Sequence, residues 1–448
     1  MGTKPSESDS PLRIALFIGK FPVVSETFIL RQVTSLLDLG HEVDVYSDTG
    51  NEGNGHEHPE VAKYRLRERT TYMNMPPETC PYEMPVWPLS GETWPPGASQ
   101  SVPNKTRASH ALPLLAQCLV RAPRLTWRVL QPEEYGYQAR SLSSLYRLHG
   151  VLQRDRYYDI LHAHYGPVGN SYRFVRDLRG APFIVSYYGY DAWAVPRKEG
   201  PGVYRKLFQT TDRVLVLADE MGRQLQGLGC PAEKQTKLAV GVRVEDFPFR
   251  ERSLRPGEPV RFLTIARFVE KKGIEDSLRA LAEARKQCSN LHYDLVGDGP
   301  LRGKIEKLIQ ELGLQRCVTL HGYCEGKRLH DLMDAAHVLV LSSVTAGDGD
   351  QECTPVSLMD AQASGVPVLT TRHSGIPEVI CDGESGFLVA EHDVPALAGR
   401  MVHLANHPEL WPQMGRAGRR HVEENYNCDK LKHQLVQIYR DTIAGFRR

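Results

Sequence analysis

Two carboxylates in the stretch "GDQECTPVSLMDAQASGVP", Glu352 and Asp360, stand eight positions apart around a Thr-Pro pair. Thr354 can N-cap a helix and Pro355 suits its first position, where a missing N–H costs nothing. Gly365 and Pro367 then stop that helix. On this reading Glu352 lies in the loop at the helix mouth and Asp360 about one and a half turns inside. Free amides at a helix start suit a phosphate, and carboxylates accept from the hydroxyls of a ribose or pyranose. The combination describes a site for a nucleotide sugar. The bland alternative for Asp360 is a solvated place on a helix face.

A diphosphate needs cations, and a chain with 55 Lys+Arg against 54 Asp+Glu has no global field to supply them. "IARFVEKKGI" supplies them locally: Arg267 offers a bidentate fork, Lys271 and Lys272 point charges. One of the two lysines is expected to be a solvated loop charge, and Lys272 the one that binds. "VGDGPLR" gives a tight turn at Gly297 and Gly299, placed beside the nucleotide base; without full Gly-x-Gly-x-x-Gly spacing it is a weak dinucleotide signature. Gly19, in "GKFPVVSETF", lets backbone approach the diphosphate. Ser25 and Glu26 there either face an acceptor or cap the next helix. His162 and His164 alternate on "LHAHYG", so they share one face, lining a cleft or satisfied in a core. Asp191, beside Gly189, is a candidate acceptor-side polar group. "GDGD" (Asp348, Asp350) is expected to be a solvated loop, and no metal is expected.

The elements that must position these groups alternate strand and helix twice. The first run opens with an apolar strand at Ile14–Ile18, a helix ended by left-handed Gly40, and a strand at Glu42–Tyr46. Residues 48–110, rich in Pro, Gly and Ser, are expected to be an irregular insertion. The alternation restarts after a charged, Pro-containing linker, 246–258. The fold class is therefore α/β, with two doubly wound Rossmann-like domains facing across a cleft. The expected boundaries are 1–245 for an acceptor-binding domain and 259–430 for a nucleotide-sugar-binding domain, with 431–448 a helix crossing back to the first. Nine scattered cysteines without Cys-x-x-Cys argue for reduced thiols and a cytoplasmic setting. No apolar run reaches the roughly 18–20 residues of a membrane span. "LVRAPRLTWRVLQ" mixes cations with an aromatic, which fits either a peripheral contact at the inner membrane face or a solvated helix.

These motifs, with "KFPVVSETFILRQV", "YYGYDAW", "ARFVEKKG" and "SGIPEVICDGESGFLV", resemble the retaining family 4 glycosyltransferases of GT-B fold, in particular the colanic-acid and exopolysaccharide type. The resemblance spans most of 12–430 and leaves out 50–110. It implies that Glu352 and Asp360 are the Glu-x7-Glu pair, on donor sugar and ribose, and that Arg267 and Lys272 bind phosphate. Cys353, Thr354, Pro355 and Val356 complete the implied donor segment. Three positions depart from the pattern: Asp360 for Glu, Cys353 for Gly, and Tyr188 for a histidine. The implied reaction is sugar transfer from a nucleotide-diphosphate sugar, without metal or other cofactor, to a glycan, lipid-linked or small-molecule acceptor. No nucleic acid partner is implied. The alternatives are a non-catalytic sugar-nucleotide-binding homologue and a nicotinamide-dependent oxidoreductase.

Overall fold

A computed structural model describes residues 10–23, 27–50, 58–73, 75 and 104–446. Its frame is two parallel sheets. The first holds β1 (Arg13–Lys20), β2 (Glu42–Thr49), β3 (Thr70–Tyr72), β4 (Ile160–His164), β5 (Phe183–Ser186), β6 (Arg213–Val216) and β7 (Gln235–Lys237), in the order β3-β2-β1-β4-β5-β6-β7. The second holds β8 (Val260–Ile265), β9 (Leu291–Val296), β10 (Val318–Gly322), β11 (Val338–Leu341), β12 (Val368–Thr371) and β13 (Gly386–Val389), in the order β10-β9-β8-β11-β12-β13. Central strands are apolar on both faces because helices cover both faces; Ile14 to Ile18 of β1 are all buried.

Each sheet reverses its winding once, between β1 and β4 in the first and between β8 and β11 in the second. A crevice opens at the carboxyl ends of the strands at such a switch point. Gly19 and His164 end the strands at the first switch; Arg267 and the loop reaching Glu352 follow the strands at the second. Topology alone thus gathers residues far apart in sequence, Gly19 with His164 and Arg267 with Glu352.

The two bodies share a hinge where two chain crossings lie side by side. Val242 donates to Tyr426 O at 2.8 Å and accepts from Cys428 N–H at 3.0 Å. The helix Cys428–Phe446 that follows buries Leu435, Ile438 and Tyr439 in the core of the first sheet. Arg252, in the stretch read as a linker, is buried and donates to Asp334 O and Ser364 O, which pins that stretch to the second body.

Residues 48–110 are less irregular than expected. Pro59–Lys63 and Leu66–Arg69 are helical turns, and Thr70–Tyr72 form the edge strand β3, paired to Val45–Ser47 of β2. A three-residue strand has no periodicity to read; its neighbour makes it a strand. The remainder, 51–57, 74 and 76–103, lies outside the described residues, as do Ser25 and Glu26.

Candidate active site

The loop after β8 is fixed by glycines that leave no room for a side chain. A Cβ on Gly297 would stand 1.9 Å from Ala266 O, and one on Gly299 2.6 Å from Phe268 O. The Gly297–Gly299 turn therefore packs directly beneath the segment Ala266–Phe268 that presents Arg267. Phe268 N–H donates to Asp298 O at 2.8 Å, closing the seam. The same device recurs at Gly273, left-handed at φ 60°, where a Cβ would meet Ser342 O at 1.7 Å. Ser342 Oγ donates to Gly273 O at 2.6 Å, locking the Lys271–Lys272 turn to the end of β11.

Both lysines are inward. Lys272 pairs with Glu352, their side chains 12% and 17% exposed. Lys271, expected to be the solvated one of the two, is buried and pairs with Asp350 at 2.9 Å. Asp350 is likewise not a solvated loop residue, because its partner lies 79 positions away and nothing in the local sequence announces it. Arg267 stands exposed at the cleft side of this cluster. Burial alone would raise the Glu352 carboxyl, but Lys272, Lys271 and Arg267 hold it down at about 2. It is an anion at any physiological pH.

The backbone of Glu352 is held as firmly as its side chain. Its N–H donates to His373 Nε2 at 3.0 Å, which requires that nitrogen to be bare. The proton therefore sits on Nδ1, which donates to Glu391 Oε1 at 2.6 Å; Glu391 Oε2 accepts from Thr345 N–H at 2.8 Å. Sequence reasoning passed over His373 and Glu391. The available signal was a histidine just past the end of β12, beside the second switch point.

The opening helix starts one residue later than expected. It spans Val356–Ala363 with Pro355 as its N-cap, and Leu358 N–H donates to Pro355 O at 3.1 Å. Thr354 caps nothing. Its Oγ1 is buried without a partner, and so is Asp360 Oδ1. Asp360 is thus not on a solvated face. Burial pushes its carboxyl up to about 7, against the pull of Arg31 on the helix Thr27–Asp38 of the other body and with the push of Asp246. Cys353 is buried in the core cluster of the first sheet; a Cβ on Gly375 would stand 2.7 Å from Ala218 Cβ and 3.1 Å from Cys353 Sγ. Cys353 therefore fills the seam between the bodies.

Facing this, the first body contributes a tyrosine–histidine pair. His164 is buried, with Nδ1 2.7 Å from Tyr188 Oη and Nε2 left without a partner; burial pushes it down to about 3, so the ring is neutral. His162 is the satisfied core histidine, its ring nitrogens 2.7 Å from Tyr439 Oη and Ser186 Oγ. Asp191 does not face the cleft. Both its oxygens accept backbone N–H groups, from Gly166, Tyr188 and Gly189, so it shapes the loop that carries Tyr188. Gly189, at φ 140°, brings that loop against the loop that carries Glu352: a Cβ there would stand 2.9 Å from Gln351 O.

Two Rossmann-like bodies meeting over such a cluster define a GT-B glycosyltransferase fold. The fold is similar to that of sucrose-phosphate synthase from Thermosynechococcus elongatus, with a TM-score of 0.66 at 19% identity, covering 97% of this chain and 100% of that one. It is also similar to Anabaena HepE in complex with UDP and glucose, with a TM-score of 0.65 at 14% identity, covering 96% and 100%. The chain belongs to the family 4 glycosyltransferases: residues 246–421 match "Glycosyl transferases group 1" and residues 25–241 the "Glycosyl transferase 4-like domain". A relative from Escherichia coli (strain K12), provisionally named as the colanic acid biosynthesis glycosyltransferase WcaL, is 31% identical over 438 residues, 95% of this chain and 99% of that protein. The amylovoran biosynthesis glycosyltransferase AmsK of Erwinia amylovora is 29% identical over 438 residues, with the same coverage of 95% and 99%.

Proposed function

We propose that this chain is a retaining hexosyltransferase that moves a sugar from a nucleotide-diphosphate sugar to an acceptor hydroxyl in exopolysaccharide or glycoconjugate assembly. The observation that carries the reading is a pair of buried polar atoms without partners, Thr354 Oγ1 and Asp360 Oδ1, on the segment that holds Glu352 against Lys272. Leaving such an atom unsatisfied costs about 1–3 kcal/mol, a cost that a hydroxyl-rich ligand removes on binding. The names of the relatives support the exopolysaccharide setting.

In this reading the donor lies at the second switch point. Asp360 takes the ribose and Glu352 a hydroxyl of the sugar. Arg267 and Lys272 meet the charge that grows on the diphosphate as the anomeric C–O bond breaks, the electrostatic contribution that usually dominates such catalysis. The acceptor hydroxyl enters from the first body and bonds to the anomeric carbon on the face that the diphosphate leaves. Its proton goes to a departing phosphate oxygen, so neither the neutral His164 nor Tyr188 has to act as a base; they orient the acceptor. Closure of the bodies keeps water from the donor. Protein cations carry the role a metal has elsewhere, and the reaction runs in the cytoplasm.

A thermal-shift panel of UDP-, GDP- and ADP-sugars identifies the donor, and proton NMR of the product reads its anomeric configuration. Glu352→Gln and Arg267→Ala should each lower turnover by about 10²–10³ with the donor that binds. Full transfer by either variant would overturn the site assignment. An inverted product would overturn the retaining mechanism.

A further inference from the structure

Among the described residues seven large apolar or aromatic side chains are exposed, and the four without a hydroxyl all lie between 112 and 127: Leu112 (63% exposed), Leu119 (45%), Val120 (85%) and Trp127 (70%). They stand on the helix Asn104–Arg121 and on Pro123–Val129, which follows it. Leu112, Leu119 and Val120 are spaced i, i+7, i+8, one stripe of a helix. The opposite face is already spent on the core, where Ala111 and Cys118 are buried and Leu114 and Leu115 pack beside them. A helix apolar toward the core and again toward solvent has a second surface to cover, and clusters of exposed apolar groups mark interaction sites.

Charge says what covers it. Residues 104–130 contain no Asp or Glu but include Lys105, Arg107, Arg121, Arg124 and Arg128, in a chain whose remaining residues carry a small acidic excess. Arg124 is exposed between Val120 and Trp127, and Arg121 is exposed with one nitrogen on Leu152 O. Of the nearby acids, Asp177 is engaged by Arg128 at 2.6 Å and Glu134 by Arg173 and Lys206. An apolar stripe flanked by uncompensated arginines, with a tryptophan at its edge, suits the interface of an anionic bilayer rather than another protein surface. We propose that this face of the first body docks on an anionic membrane surface, Leu112, Leu119, Val120 and Trp127 entering the headgroup boundary and Arg121 and Arg124 meeting lipid phosphates. The helix Asn104–Arg121 packs mainly on Ser143–Leu152, which in turn packs on β2 and β3, the edge of the first sheet away from its switch point. The proposal stands on this surface alone and does not depend on which donor or acceptor is used.

The test is co-sedimentation of the full chain with vesicles of phosphatidylglycerol and phosphatidylcholine, against phosphatidylcholine alone. The chain should bind the anionic vesicles, less as salt rises, with residues 110–129 gaining protection from hydrogen exchange. Val120→Ser with Trp127→Ser, and separately Arg124→Glu, should weaken binding by about tenfold or more while thermal stability and donor binding stay unchanged. Absence of vesicle binding, or equal binding by these variants, overturns the proposal. So does a Trp127 that a soluble fluorescence quencher cannot reach without vesicles, which would mean that the chain's own residues cover the patch, or a concentration-dependent dimer that the double variant abolishes.

Discussion

Asp360 and Glu352 share a helix mouth but not a charge state. Glu352 has three cations around it, whereas Asp360 faces only Arg31, across the seam, and Asp246 opposes it. A carboxyl held near 7 in the folded state and near its ordinary value in the unfolded chain gives stability that is full at low pH and is lost as pH rises through about 7. Asp360→Asn should therefore stabilise the unliganded protein at pH 8, by on the order of 1 kcal/mol or more, and change little at pH 4, near the ordinary carboxyl value. Melting temperatures at the two pH values check this; an equal shift at both would mean that Asp360 is not strained by burial. The same substitution should weaken nucleotide binding, because the amide has lost an acceptor.

His373 acts on the reaction only through Glu352. With Nε2 accepting from the Glu352 N–H and Nδ1 tied to Glu391, it sets where the carboxylate starts from. A displacement of about 1 Å at such a group costs up to about 10²-fold in rate. His373→Ala should lower kcat by about ten- to a hundredfold with a smaller change in donor KM. His373→Gln, whose side-chain oxygen can take over the acceptor position, should recover most of it. Equal losses in both variants, tracking a fall in melting temperature, would reduce His373 to a packing residue.

At the scale of elements, the glycines are the parts that tolerate least. Gly297→Ala drives a methyl against Ala266 O, where backbone must give way, so the segment presenting Arg267 moves. The expected outcome is a folded protein with donor affinity and kcat reduced by about tenfold or more, measured by calorimetry and transfer assay. Normal donor affinity in a folded variant would show that this seam does not place Arg267. This scale is also where the sequence speaks unevenly. The buried strand at Ile14–Ile18, the left-handed stop at Gly40 and the glycine turn at 297–299 are legible, because each rests on the chemistry of a few neighbouring residues. Lys271 with Asp350, Cys353 in the seam and Asp191 folded into its own loop are not, because each depends on a partner that only the assembled fold brings near. The start of the helix at Val356 shows the same limit: Thr354 is a good cap by type, yet its hydroxyl is turned into a buried place without a backbone amide in reach.

At the scale of the molecule the question is what holds the bodies together before any ligand arrives. Beyond the hinge, Glu378 of the helix Ile376–Val379 reaches across: Oε1 accepts from Asp219 N–H at 2.7 Å and Oε2 from Lys237 Nζ at 3.1 Å, while Lys237 also pairs with Asp219 at 2.9 Å. All three side chains are partly exposed, so the clasp contributes on the order of 0–1 kcal/mol and is screened by salt. That is small for stability but enough to shift an open–closed balance by up to about fivefold. Glu378→Ala should leave the melting temperature nearly unchanged, raise the radius of gyration measured by small-angle scattering without ligand, and lose that difference once the bound nucleotide sugar supplies its own contacts to both bodies. Raising the salt should expand the unaltered protein in the same direction and the variant hardly at all. A variant as compact as the parent at low salt would mean that the clasp is not needed and that contacts such as the seam of Gly189, Cys353 and Gly375 keep the cleft closed without it.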